Sequence, residues 1–260
     1  MTWDLLLVLL AGVGAGAINA VVGSGTLITF PTLIALGHPP VVANISNNLG
    51  LVPGALSGTF GYRRELAGQA TRAKLLAPFS LIGATGGALL LLVLPSDSFE
   101  VVVPWLIALA LVLVVVQPRL QRALTAHRPT GDEHSTLPAT RGRTVAMCLG
   151  VLAAGVYGGY FGAAQGIMLI AVLGSLLPET IQRCNALKNL LSVLVNGIAA
   201  VVFLVVAWDR IDWWVVLAIA VGSTVGGWLG GNYGRRLPAW ALRAVIIVVG
   251  LFAIVRMVMP

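Results

Sequence analysis

Eight apolar runs, of the length that crosses the roughly 30 Å hydrocarbon core of a bilayer, fill almost the whole chain. They extend from Trp3 to Val22, Val41 to Tyr62, Leu75 to Leu94, Val101 to Val116, Val145 to Phe161, Gln182 to Trp208, Trp213 to Gly231 and Trp240 to Met259. Hydrophobic residues make up 58% of the 260, charged residues only 10%, and the mean hydropathy is +0.96. No soluble core could hide that much apolar surface, so the expectation is an all-α, polytopic, multi-pass membrane protein. Trp3, Trp105, Trp208, Trp213, Trp214 and Trp240 fall near the ends of runs, where an interfacial aromatic belt would stand. The first run lacks a basic start, carries Asp4 and is followed by further runs, so it is expected to be a retained span rather than a cleaved signal peptide.

The chain says one thing twice. Gly16-Ala-Ile-Asn-Ala-Val-Val-Gly23-Ser24-Gly25 is followed by a short apolar stretch, Thr26 to Leu36, and then by Ala43-Asn44-Ile-Ser-Asn47-Asn48. Some 139 to 141 residues later, Gly155-Val-Tyr-Gly-Gly-Tyr-Phe-Gly162-Ala-Ala-Gln165-Gly166 is followed by Ile167 to Leu177 and then by Cys184-Asn185-Ala-Leu-Lys188-Asn189. The chain therefore divides into a first membrane repeat, 1–117, a cytoplasmic linker, 118–143, and a second membrane repeat, 144–260. Glycine-interrupted apolar segments at matching places in two halves point to a transporter's substrate site.

Charge sets the orientation. Arg63, Arg64, Arg72 and Lys74 share one connection, and Arg119, Arg122, Arg128, Arg141 and Arg143 lie around the linker, whereas Pro95 to Glu100 carries only acidic charges. In the second half the bias is reversed: Asp209-Arg210-Ile211-Asp212 replaces the first basic connection, and Arg235 and Arg236 replace the acidic one. The positive-inside rule then places Arg72, Arg128 and Arg235 in the cytoplasm and relates the halves as inverted repeats. Inversion needs an odd number of crossings per half, so the short stretches count as crossings and the total is about ten. If they are re-entrant, the total is eight and the halves run parallel. The net charge is +7, but the basic residues are concentrated in the connections, which argues against nucleic acid as a partner.

The breaks and the asparagines are where chemistry is expected. Gly23, Ser24 and Gly25 free the backbone from helical geometry, which is tolerated at membrane depth only when buried in protein or lining a cavity. Helices starting at Thr26 and Gly166 would turn their amide groups and positive dipole ends toward that floor, a site suited to a small anion. Asn44 and Asn48 share a helix face, as do Asn185 and Asn189, and neutral amides donate to anionic oxygens. The candidate substrate-binding residues are Gly23, Ser24, Gly25, Thr26, Asn44, Asn47, Asn48, Gly162, Gln165, Gly166, Asn185, Lys188 and Asn189. Lys188, the only lysine in a span, either contacts substrate or snorkels to the interface. The bland alternative is that the asparagines bond neighbouring helices. Tyr157 and Tyr160 either face the cavity or pack, and the matched spacings Gly83 to Gly87 and Gly222 to Gly226 suit close helix packing.

Other motifs are set aside. Gly12, Gly14 and Gly16 follow no strand and form no dinucleotide fingerprint. Cys148 and Cys184 lack ligand spacing and read as buried apolar residues. His127 and His134, with Asp132 and Glu133, read as solvated linker rather than a metal site, so no metal or cofactor is expected. The chain has no phosphate-binding loop for ATP, and apart from residues at segment ends its spans lack the His, Asp and Glu that a membrane-embedded enzyme would use.

The order of elements resembles the TauE/SafE sulfite exporter family: a glycine-rich broken segment, an apolar stretch, a helix bearing asparagine and ending in Gly61-Tyr62-Arg63-Arg64, and a weaker second copy. The resemblance implies a plasma-membrane secondary transporter for small sulfur-containing anions such as sulfite, sulfoacetate or thiosulfate. Gly23-Ser24-Gly25 and Ala163-Ala164-Gln165-Gly166 depart from the family's richer glycine run, which bears on the substrate. A non-transporting membrane partner or structural subunit, or a membrane-embedded enzyme, is the alternative.

Overall fold

The computed structural model describes residues 2–126, 140–233 and 239–258, and the regular structure in them is helical. The first half contributes α1 (Thr2–Val21), α2 (Thr26–Ala35), α3 (Pro40–Gly61), the single turn α4 (Arg63–Leu66), α5 (Ala70–Val93) and α6 (Ser96–Ala126). The second half contributes α7 (Arg141–Tyr160), α8 (Gln165–Leu176), α9 (Ile181–Val206), a 3₁₀ turn (Trp208–Arg210), α10 (Trp213–Tyr233) and α11 (Ala239–Val258). Six of these, α1, α5, α6, α9, α10 and α11, are long and apolar enough to cross a membrane. At 22 and 20 residues, α3 and α7 have the length but carry more polar residues. Leucine, valine, tryptophan and phenylalanine side chains stand exposed over the exterior, the surface that lipid covers.

Two glycines create the breaks. Gly23 and Gly162 adopt φ of 88° and 78°, a left-handed geometry that glycine accepts without strain. Each closes its helix in the same way: Val22 and Gly23 both donate to Ile18 O, and Phe161 and Gly162 both donate to Tyr157 O. The chain then turns back. Ile28 lies beside Gly14, and Gly25 lies against Ala15 and Asn19, so α2 retraces α1.

The halves interlock. α10 packs between α1 and α3, and α5 packs in the matching position against α7 and α9. α2 rests on α11 and α8 on α6, while α3 meets α9 and α6 meets α11. Exchanging first-half for second-half helices maps these principal contacts onto one another. Glycines set the distances. Leu9, Val13 and Ala17 meet Gly222, Gly226 and Gly230, while Gly50, Gly54, Gly58 and Gly61 meet Ile219, Ser223, Gly227 and Gly231. α1, α3 and α10 therefore run in one direction. Gly83 and Gly87 likewise meet Leu152 and Val156, so α7 runs with α5. The connection 62–69, half of it helical, is too short to recross the bilayer, so α5 returns against α3 and α7 runs opposite to α1.

α6 does not stop where the sequence places the linker. It continues through 118 to Ala126, and Gln117 is buried, its Nε2 donating to Val22 O at 3.2 Å. A polar residue that satisfies a carbonyl at a helix break reads, in sequence alone, as the end of a span. His127, Arg128, Asp132, Glu133, His134, Arg235 and Arg236 lie outside the described residues. Cys148 and Cys184 are buried, as expected, and neither is in a disulfide among the described residues.

At one end of the molecule Glu179, between α8 and α9, accepts from Arg72 of α5 and from Arg183 Nε of α9, the latter at 2.7 Å. Arg183 also donates to Ala67 O, and Gln69 donates to Arg183 O. Burial pushes the Glu179 carboxyl up, but hydrogen bonds and charge from Arg72 and Arg183 outweigh it and hold the group below the usual carboxylate range.

Two outcomes are expected. Gly226→Ala and Gly87→Ala, whose new Cβ would overlap Val13 O and Val156 O, should each cost about 1–3 kcal/mol, whereas Gly86→Ala and Gly197→Ala meet open space and should be neutral or slightly stabilising. Thermal unfolding in detergent decides it, and equal effects in both classes would refute the packing assignment. Because the Glu179 carboxyl is depressed in the folded state, its stabilisation should be complete above about pH 4.5 and lost as pH falls through the lower folded value. Melting temperatures should therefore drop less between neutral and acid pH in Glu179→Gln than in the unaltered protein.

Candidate functional site

A helix that ends inside a bilayer leaves its last carbonyls without intrahelical partners, and nothing in the lipid can satisfy them. Here the partners come from the opposite half. Lys188 Nζ of α9 donates to Asn19 O and Ala20 O of α1 at 3.1 and 3.4 Å. Asn185 Nδ2 and Asn189 Nδ2 both donate to Ala20 O at 3.3 Å. In the matching place, Asn44 Nδ2 of α3 donates to Tyr160 O at the end of α7, at 3.0 Å. Asn47 stays within its own half, donating to Thr26 Oγ1 and accepting from Thr29 Oγ1.

This geometry alters the role of several predicted residues. The amides of Asn44, Asn185 and Asn189 are engaged by backbone, the arrangement of the bland alternative. Lys188 does not snorkel. It is fully buried, and among the described residues its ammonium meets carbonyl oxygens and no carboxylate.

The breaks themselves meet back to back. Gly166 N donates to Gly23 O at 3.1 Å, and a Cβ on Gly23 or on Gly166 would stand 2.6 or 2.5 Å from the other's Cα. The Gly166 amide is therefore engaged, and no ligand fits between these two glycines in this conformation. Gly25 likewise serves the close approach of α2 to α1, since its Cβ would overlap Ala15 O. Gly162 lies beside Thr26, a Cβ there being 3.9 Å from Thr26 Oγ1, and Gln165 fills the space next to Gly158.

Four polar atoms around this junction have no hydrogen-bond partner among the described residues: Ser24 Oγ, Asn48 Oδ1, Gln117 Oε1 and Gln165 Nε2. Ser24 and Gln165 are almost wholly enclosed. Buried polar groups are nearly always paired, so these unpaired ones are candidates for contact with a ligand. Tyr157 is not among them, because its hydroxyl donates to Leu106 O. Sequence reasoning missed Thr29 and Gln117. Thr29 was legible as the second threonine of Thr26-x-x-Thr29, one turn on along the short helix.

Comparison with known families matches residues 8–257 to the family described as sulfite exporter TauE/SafE. A probable membrane transporter protein of Haemophilus influenzae is 26% identical over 259 residues, covering 98% of this chain and 95% of the relative. The probable membrane transporter protein ORF9 of Sinorhizobium is 25% identical, covering 94% and 88%. The probable membrane transporter protein YfcA of Escherichia coli K12 is 26% identical, covering 90% and 82%. No solved structure matches the chain. The helices, the lipid-facing exterior and the match over nearly the whole length agree: this chain belongs to the sulfite exporter TauE/SafE family and is a multi-pass membrane transporter.

Proposed function

We propose that the protein is a secondary transporter that moves a small sulfur-containing anion, such as sulfite, sulfoacetate or thiosulfate, across the plasma membrane by alternating access around the two broken helices. The observation that carries this reading is Lys188, a cation enclosed at the junction of the breaks without a carboxylate partner, near the unpaired groups of Ser24 and Gln165. An isolated buried charge is costly, and an anion relieves that cost. The contact between the breaks and the enclosure of the polar residues support reading this conformation as an occluded one. Opening must part Gly23 from Gly166.

The opposed directions of α1 and α7 support inverted repeats, with α2 and α8 counted as crossings. Arg72 then faces the cytoplasm and Asp212 the opposite side. Single-cysteine labelling from outside intact cells, in a background lacking Cys148 and Cys184, checks this: Asp209→Cys should label and Ala67→Cys should not.

Proteoliposomes offered radiolabelled sulfite, thiosulfate and sulfoacetate, with and without a pH gradient, test the substrate class. Ser24→Ala and Gln165→Ala should each remove one hydrogen bond to an anion, about 1.5–3 kcal/mol, or roughly tenfold or more in affinity, with little change in melting temperature. Asn44→Ala and Asn189→Ala should do the reverse, lowering melting temperature more than affinity. Lys188→Gln keeps donors for Asn19 O and Ala20 O but removes the charge, so affinity should fall far more than stability. Unchanged affinity in Lys188→Gln and Ser24→Ala would remove the site from this junction.

A further inference from the structure

A side-chain amide has a donor end and an acceptor end, and Gln117 uses only the first. Its Nε2 donates at 3.2 Å to Val22 O, the carbonyl just before the Gly23 break, and the residue is 1% exposed. That bond fixes which way the amide faces, because a backbone carbonyl only accepts and only the nitrogen can donate to it. The other end is therefore an acceptor, and Oε1 has no donor among the described residues. Nitrogen and oxygen share one carbon, so this unpaired oxygen lies at the same break, with Ser24 two residues beyond Val22 in the chain. α6 also packs on α8, the helix that opens at Gln165, and Gly166 N meets Gly23 O. Gln117 thus brings α6 to the junction that α1 and α8 form. Asn48 adds a second unpaired amide oxygen, one turn beyond the Asn44 that bonds Tyr160 O at the end of α7.

The chemistry of these groups constrains the anion. A bare oxyanion such as the sulfite dianion offers acceptors alone. The Lys188 ammonium, the Ser24 hydroxyl and the Gln165 amide group suit such oxygens, but Gln117 Oε1 would set lone pairs against lone pairs inside an enclosure, where an unmet polar group is costly. An anion that brings its own hydrogen satisfies both kinds of group: its charged oxygens take the donors, and its own O–H or N–H donates to the amide oxygen. A single buried cation also balances one negative charge rather than two.

We propose that Gln117 is a specificity residue of the junction and that the substrate is a monoanion carrying its own hydrogen-bond donor, so that hydrogensulfite fits and the sulfite dianion does not. This deepens the transport reading and rests on it for the place of the site. The anion then crosses with its proton attached, one proton and one anion entering on one side and leaving together on the other. Such transfer requires no proton-relaying carboxylate in the spans.

Hydroxyethanesulfonate and n-propanesulfonate test the idea without a change of charge, since both are monoanions and differ by a hydroxyl in place of a methyl. Binding to the full chain in detergent, by calorimetry, should favour the hydroxyl compound about tenfold or more. Sulfite affinity should fall as pH rises through the range in which hydrogensulfite loses its proton, measured relative to hydroxyethanesulfonate at each pH, which reports any change in Lys188 itself. Gln117→Lys keeps a donor for Val22 O but removes the acceptor and adds a cation, so it should abolish the hydroxyl preference and shift binding toward the dianion. Gln117→Leu should abolish the preference and also lower the melting temperature, because Val22 O loses its donor. The comparison of ligands in the unaltered protein decides the matter even where a variant fails to fold. Equal affinity for the two sulfonates, a sulfite affinity that does not fall with rising pH, or a hydroxyl preference that persists in folded Gln117→Lys overturns the assignment and leaves Gln117 as a cap for Val22 O. Binding of sulfite without these preferences rejects the role of Gln117 alone, whereas no binding of any of the three anions rejects the anion site itself.

Discussion

The structure depends on how it satisfies the carbonyl ends of two helices, α1 and α7, that stop buried inside the protein. Ending a helix in water is inexpensive because solvent bonds the last carbonyls. Buried away from water each unsatisfied group costs several kcal/mol, and α1 and α7 both end among buried residues. The solution is reciprocal: Lys188, Asn185 and Asn189 satisfy α1, and Asn44 satisfies α7. Neither half can close its own break in this way. The interlocking of α5 and α10 with the opposite halves follows from the same requirement, because it brings α3 and α9 to the partner's break.

Glycine makes that interlock possible. Backbone-to-backbone approach between α1 and α10, and between α5 and α7, leaves no space for a Cβ at Gly222, Gly226, Gly83 or Gly87. In a membrane there is no hydrophobic force between helices, so close van der Waals contact over such stripes supplies much of the attraction. Rigid stripes on the outside and a junction held by a few polar contacts inside favour motion at the junction.

Much of this was legible in the sequence because it is periodic or repeated. The spans follow from hydropathy, the breaks from Gly23 and Gly162, and the equivalence of Asn44 with Asn185 from the repeat. What was not legible is which partner a polar side chain chooses. Asn185 and Ala20 are 165 residues apart, and nothing local marks a backbone carbonyl as the acceptor. The same limit hid Gln117, which looks like the polar end of a span until Val22 O is seen beside it. Ser24 and Gln165 are legible from their position in the breaks, whereas the lack of a partner for Ser24 Oγ and Gln165 Nε2 is a property of the folded chain alone.

The departure from symmetry locates the charge. Asn47 and Lys188 occupy the same place in the two halves, yet Asn47 bonds Thr26 and Thr29 of its own short helix, while Lys188 reaches across to α1. A lysine at both positions would place two like charges at one enclosed junction, and asparagine at both would leave no net charge there. One of each gives a single buried cation, held by carbonyl dipoles that temper its field. On the proposed transport reading, such a moderated field would draw an anion out of water without holding it so tightly that the opposite side could not release it.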